Sequence, residues 1–126
     1  SENDIVIGAD TVVALGKKIL GKPKNDEDAR RMLRSLSGKT HSVYTGVTII
    51  RSQNSVSFAV QTKVIFYELT DKDIDAYIKT GEHRDKAGSY GIQGYGSLFV
   101  KEIKGDYFNV VGLPIGRLNK ELNKIL

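Results

Sequence analysis

Three short stretches carry the side chains best suited to chemistry on a small anion. Asp10 follows the apolar segment Ile5-Val6-Ile7, inside the small-residue run Gly8-Ala9-Asp10-Thr11. A carboxylate left unobstructed at a strand end can hold Mg²⁺ or orient a water; the plainer alternative is an Asx residue stabilising its own turn. Lys22 stands between Gly21, which lets backbone approach a ligand, and Pro23, which sets the exit direction, so its ammonium can be held toward a phosphate or simply lie exposed in a turn. The most informative stretch is Asp85-Lys86-Ala87-Gly88-Ser89-Tyr90-Gly91-Ile92-Gln93-Gly94, where glycines recur every three residues, too densely for a helix or a strand interior. Such a loop serves close ligand contact or packs tightly on itself. It offers Lys86 as a cation, Gln93 as combined donor and acceptor, and a series of backbone amides.

Other chemistries find less support. The loop has neither the Gly-Lys-Ser/Thr ending of a Walker motif nor Rossmann spacing, and no Gly-x-Ser-x-Gly marks a nucleophilic serine. His41 opens a strand and reads as structural. His83 sits in a charged loop and reads as solvated, and neither histidine has a partner at metal-motif spacing. The net charge of +4 is spread among interspersed acids, and the lysines at 17, 18, 22 and 24 come with no aromatic platform, so no nucleic-acid footprint is expected. With no cysteine, no leader pattern and no apolar run long enough to span a bilayer, the expectation is a cytoplasmic protein without a membrane partner.

These side chains need elements to position them. The 126 residues suit one domain, spanning 1–126. Short β segments are predicted at 4–9 and 12–15, with Gly8 to Thr11 between them, then a turn at Gly16-Lys17-Lys18. Asn25 is placed to cap a helix whose stripe is Ala29, Met32, Leu33 and Leu36, with acids in its first turn and arginines after, ending at Ser37-Gly38. Strands over 41–50 and 56–67 alternate apolar and polar residues and read as a central antiparallel hairpin. Thr70 and Asp73 form a capping box with Leu69 and Ile74 as its staple, and Gly81 stops that helix. The stretch 82–97 reads as loop, strands follow near 98–104 and 106–111, and a last helix opens at Pro114 and buries Ile115, Leu118 and Leu122. The fold class is α/β with a mixed, largely antiparallel sheet rather than a doubly wound one.

In order and spacing these pieces resemble the Maf family of nucleotide pyrophosphatases. The matching residues are Ile7-Gly8-Ala9-Asp10-Thr11, Gly21-Lys22-Pro23, Leu36-Ser37-Gly38 with His41 and Thr45-Gly46, Gly81-Glu82, Asp85-Lys86-Ala87-Gly88, Gly91-Ile92-Gln93-Gly94 and Asn109-Val110-Val111-Gly112-Leu113-Pro114. The resemblance implies an inosine-triphosphate-pyrophosphatase-like fold, an elongated twisted sheet flanked by helices around a nucleotide cleft. It implies hydrolysis of a nucleoside triphosphate to monophosphate and pyrophosphate with a divalent cation, Mg or Mn.

Carried over by position, Asp10 resembles the family's base or metal ligand, and Lys22 and Lys86 its phosphate-facing lysines. Thr11 and Gln93 fall where specificity residues lie, with Gly88 and Gly94 in the same substrate loop. The Asp-Lys-Ala-Gly and Ile-Gln-Gly forms resemble the branch acting on the pyrimidine nucleotides dTTP and UTP. Family members also carry, at the front, a Ser-Pro-Arg-Arg type loop and a further glutamate that do not precede Asp10 here. The expectation is therefore a chain truncated at its N-terminus relative to the family, impaired alone, and associating with a second copy or with the missing segment. A nucleotide-binding module without turnover is the alternative.

Overall fold

The structure, a computed structural model, describes residues 4–126, so the first three residues of the expected domain lie outside it. Its centre is a five-stranded antiparallel sheet in the order β2-β1-β3-β4-β5. The strands are β1 (Ile5–Leu15), β2 (Lys18–Leu20), β3 (Thr40–Arg51), β4 (Asn54–Phe66) and β5 (Val100–Lys104). Helices α1 (Asp26–Leu36), α2 (Asp71–Lys79), α3 (Tyr107–Val111) and α4 (Ile115–Ile125) complete it. Among the described residues no helix is long and apolar enough to cross a membrane.

β3 and β4 form the expected hairpin, paired residue for residue from Thr40↔Ile65 to Arg51↔Asn54. Alternation along β3 buries His41, Val43, Thr45, Val47 and Ile49 on one side and leaves Tyr44, Gly46 and Ile50 exposed on the other. The helices cover that buried side in two groups. α1 and α2 pack Leu33, Leu36, Ile74 and Tyr77 around Val43, Val64 and Phe66, whereas α4 sets Leu118 and Leu122 against Val47, Ile49 and Phe58. Each fully buried aliphatic or aromatic side chain here contributes about 1.5–3 kcal/mol.

Local signals place the first two helices. Asn25 accepts the Asp28 amide at 2.8 Å and caps α1. Thr70 and Asp73 make the reciprocal capping box of α2. Ile115 departs from its predicted place and is 52% exposed, because the inner stripe of α4 is carried by Leu118, Glu121 and Leu122, one turn further on.

Two larger corrections concern the strands. β1 is one continuous strand, paired with β3 from Ile5↔Arg51 to Ala14↔Ser42, so Gly8 to Thr11 are strand and not turn. A long partner ladder supplies hydrogen bonds that override the weak β propensity of glycine, alanine and aspartate. Residues 107–111, expected as strand, form α3 instead. Asp106 accepts the Phe108 amide at 2.9 Å and starts the turn, and Asn109, fully buried, fixes it to the sheet. The Asn109 side-chain amide donates to the Val43 and Val60 carbonyls at 3.1 and 3.0 Å and contacts Thr62 Oγ1 at 3.0 Å. This polar seam, with Thr45, separates the two apolar clusters.

His41 is buried as expected. Its Nε2 shares a 2.5 Å hydrogen bond with the Tyr90 hydroxyl, and its ring packs edge-on against Phe66. Burial lowers its pKa from 6.5 to about 4. The unfolded chain therefore takes up a proton at His41 that the folded chain refuses, and stability falls as pH drops from about 6.5 toward 4. At about 1.4 kcal/mol per pH unit the full effect is on the order of 3 kcal/mol. Urea unfolding at pH 6.5 and 5, above most carboxylate titration, should show the early part of this loss in the parent and not in His41→Gln; equal slopes would remove His41 as its source. Asn109→Ala, which strands several buried acceptors, should lower unfolding free energy by about 2–3 kcal/mol. A change below about 1 kcal/mol in denaturant titration would show that the seam does not anchor α3.

Candidate active site

Because β1 is continuous, Asp10 stands in mid-strand opposite Gly46, which places no side chain beside it. The carboxylate is exposed and has no hydrogen-bond partner among the described residues. The Asx-turn reading is thereby excluded. Thr11 points into a short relay: Thr45 Oγ1 donates to the Asn109 carbonyl at 3.2 Å and lies 3.0 Å from Thr11 Oγ1. Thr45 has a single hydroxyl hydrogen and spends it on Asn109, so Thr11 must donate to Thr45. Its oxygen then faces the cleft as an acceptor.

Lys22 is exposed just after β2, and the loop at 82–97 folds back to meet it. The joint is Gly88, which is buried rather than ligand-facing. Its amide donates to the Gly21 carbonyl at 3.1 Å, and a Cβ there would meet Val13 Cγ1 at 3.0 Å. Around it Asp85 and Ser89 take φ of 59° and 73°, and Gly88 takes 72°, left-handed values that only Gly88 adopts without cost. Buried Ser89 donates its hydroxyl to Met32 Sδ at 3.1 Å, tying the loop to α1. A second tie corrects the expectation for His83. It is 2% exposed, not solvated, with Nε2 2.8 Å from Asp26 Oδ1 in the first turn of α1.

Lys86, half-buried, donates from Nζ to the Glu82 carbonyl at 2.7 Å. Its stem lies over Gly91, where a Cβ would come within 2.7 Å of Lys86 Cε. Gln93 and Gly94 are exposed at the rim. Glu82 is the residue to which the sequence assigned no role. Its carboxylate accepts from the Tyr95 amide at 2.9 Å, the Gly96 amide at 3.2 Å and the Tyr77 hydroxyl at 3.3 Å. Burial alone would raise its pKa, but those amides, the hydroxyl and the Lys86 charge outweigh it and hold the carboxyl below its ordinary value. A Cβ on Gly94 would collide with this carboxylate. The signal that could have found it was the glycine spacing itself, since Gly91 and Gly94 are glycines because Lys86 and Glu82 occupy the space beside them.

One cleft of about 610 Å³ joins these pieces, a size suited to a nucleotide. It is lined by Asp10, Thr11, Lys22, Lys86, Gln93 and Gly94, with Glu82 and Asp85, and Val110 and Val111 of α3 close one side. Of the predicted site residues only Gly88 lies beneath the surface and not on it. No three metal-ligating side chains gather among the described residues. The cleft therefore fits no protein cage, but a single free carboxylate such as Asp10 fits a hard ion that completes its shell from phosphate oxygens and water. Two lysines and a free carboxylate, with a side-chain amide and an acceptor hydroxyl on the same cleft, suit a phosphorylated ligand with a polar ring edge.

Comparison with known proteins gives the family. Three relatives each bear the name dTTP/UTP pyrophosphatase. Those of Bacillus cereus strains AH187 and ATCC 10987 are 57% identical over 124 residues, covering 98% of this chain and 65% and 61% of those proteins. That of Bacillus mycoides strain KBAB4 is 57% identical over 122 residues, covering 97% of this chain and 64% of that protein. The chain thus spans somewhat less than two thirds of the length of these relatives. The family described as Maf-like protein matches residues 1–125, and the chain belongs to that family.

Proposed function

We propose that this chain carries the nucleotide cleft of a nucleoside triphosphate pyrophosphatase acting on dTTP and UTP. The observation that carries the reading is the convergence of Asp10, Lys22, Lys86, Thr11 and Gln93, from three separated segments, on one cleft. The names of the relatives, matched across nearly all of this chain, support the same reaction.

In this reaction water attacks the α-phosphorus, the bond from that phosphorus to the bridging oxygen breaks, and monophosphate and pyrophosphate leave. Charge grows on the bridging and non-bridging oxygens. Lys22 and Lys86 both line the cleft and stabilise that charge. Lys86 is pre-oriented by the Glu82 carbonyl, which lowers the cost of arranging it at the moment of reaction. Asp10 is a carboxylate on the rigid sheet left free to take the proton of the attacking water or to hold a divalent cation. Such a cation, when bound beside Asp10, would neutralise phosphate charge. Gln93 pairs with the pyrimidine edge through its amide oxygen and nitrogen, and the Thr11 oxygen accepts from a ligand donor.

Two measurements test this, both on a protein of the full length of the relatives. Asp10→Asn should cut pyrophosphate release from dTTP by about 100-fold or more while leaving the melting temperature unchanged, because the carboxylate is exposed and unpaired. Release that survives the substitution would remove Asp10 from the reaction, and calorimetric dTTP binding without any turnover in the parent would sink the enzyme reading. Gln93→Glu should narrow the preference for dTTP over purine triphosphates by about tenfold, through kcat/KM. An unchanged preference would remove Gln93 from base recognition.

A further inference from the structure

The reaction just described gives no part to the Glu82 carboxylate, although it lies half-buried at the cleft. We propose that Glu82 is a positioning residue for base selection: it pins the Gly94-Tyr95-Gly96 backbone and so sets where Gln93 stands. The inference deepens the proposed function and rests on its assignment of Gln93 to the base.

The geometry is that of an anchor. One carboxylate receives two consecutive backbone amides, at Tyr95 and Gly96, immediately after Gln93 and Gly94. The same carboxylate receives the Tyr77 hydroxyl, whose oxygen accepts the Gly91 amide at 3.3 Å. Gln93 is therefore bracketed: Gly91 before it is held through Tyr77, and Tyr95 and Gly96 after it are held directly. Tyr77 itself is fixed in the core, stacked edge-on with Phe99 at 5.0 Å. The glycines make this possible. A Cβ on Gly94 would occupy the place of the carboxylate, and one on Gly96 would run into the Gly91 carbonyl. Gln93 is exposed and has no hydrogen bond of its own among the described residues. Its location depends on the backbone at either side, and that backbone depends on Glu82.

Lys86 behaves differently. It is held by the main-chain carbonyl of Glu82, which a side-chain substitution leaves in place. Loss of the carboxylate should then loosen the base end of the cleft while the phosphate end keeps its lysine. Removing one negative charge alters the affinity of every triphosphate in the same sense, so the ratio between two nucleotides separates positioning from charge.

The test uses the full-length form, with Glu82→Gln and Tyr77→Phe as variants and amide exchange of Tyr95 and Gly96 followed by NMR. Exchange at both amides should accelerate about tenfold or more in Glu82→Gln, a readout independent of any activity. The kcat/KM ratio of dTTP to CTP should fall about tenfold in Glu82→Gln and by less in Tyr77→Phe, with kcat for dTTP within about threefold of the parent. In a Gln93→Ala background the Glu82→Gln effect on the ratio should vanish. Unchanged exchange, or a fall in rate equal for both nucleotides, overturns the proposal. If Glu82→Gln does not fold, Tyr77→Phe decides by the same ratio and by exchange at Gly91. A parent that releases no pyrophosphate from any nucleotide defeats the enzyme reading instead, and amide exchange then decides alone whether Glu82 holds the loop.

Discussion

The seat of Gly88 on β1 is the contact on which the cleft depends. There the loop backbone rests against Val13 and donates its amide to the Gly21 carbonyl, joining the strand that carries Asp10, the turn that carries Lys22 and the loop that carries Lys86. No side chain of this trio touches another directly. Their separation is set by backbone held to backbone, and a methyl group at position 88 would crowd Val13 on a left-handed backbone that disfavours any side chain. The left-handed values at Gly88 and Ser89 show the path needed to make this seat, and the buried Ser89–Met32 contact with the packing of α1 offsets what that path costs.

The sheet supplies the rigid side of the arrangement. β1 is held to β3 along its whole length, and β3 to β4 along theirs, so Asp10 and Thr11 sit on backbone whose register cannot slip without exposing Val43, Val47 and Ile49. The seam of Thr11, Thr45, Thr62 and Asn109 crosses the middle of this sheet under the cleft. It interrupts two apolar clusters, fixes α3 where Val110 and Val111 can close the site, and determines that Thr11 offers an acceptor. A polar strip through a core is stabilising where its members bond one another, and here the Asn109 side-chain nitrogen lies within hydrogen-bond distance of three acceptors, while its Oδ1 has no partner among the described residues.

What could be read from residues alone divides along the range of the interactions involved. α1 and α2 were legible because Asn25, Thr70 and Asp73 act within one turn of where they stand, and the β3–β4 hairpin because its alternation and polar turn are contiguous. The candidate residues Asp10, Lys22, Lys86 and Gln93 were visible by type and by glycine setting. The continuity of β1 was not, since only pairing with β3, more than thirty residues away, makes strand of Gly8-Ala9-Asp10. α3 was hidden for a similar reason: Val110 and Val111 favour strand, and the deciding bonds run from Asn109 to residues on β3 and β4. His83 looks solvated among charged neighbours until α1 brings Asp26 to it. Glu82 carries no motif of its own, because the two amides it holds lie more than a dozen residues further on and only the glycine spacing there hints at it.

Glu82 also clarifies Asp10. Three carboxylates line the same cleft, Asp10, Glu82 and Asp85, and backbone donors set Glu82 apart from Asp10. Glu82 accepts from two amides and a hydroxyl, which favour its ionised form and commit it to the loop. Asp10 has no such donors and faces a glycine across the ladder, so its oxygens remain open to water and phosphate-bound cations. The division is a consequence of strand register and loop path, not of any difference in the acids themselves. It explains why a cleft with few metal-ligating groups can still suit phosphate chemistry: Glu82 holds the loop, and Asp10 is kept free to act.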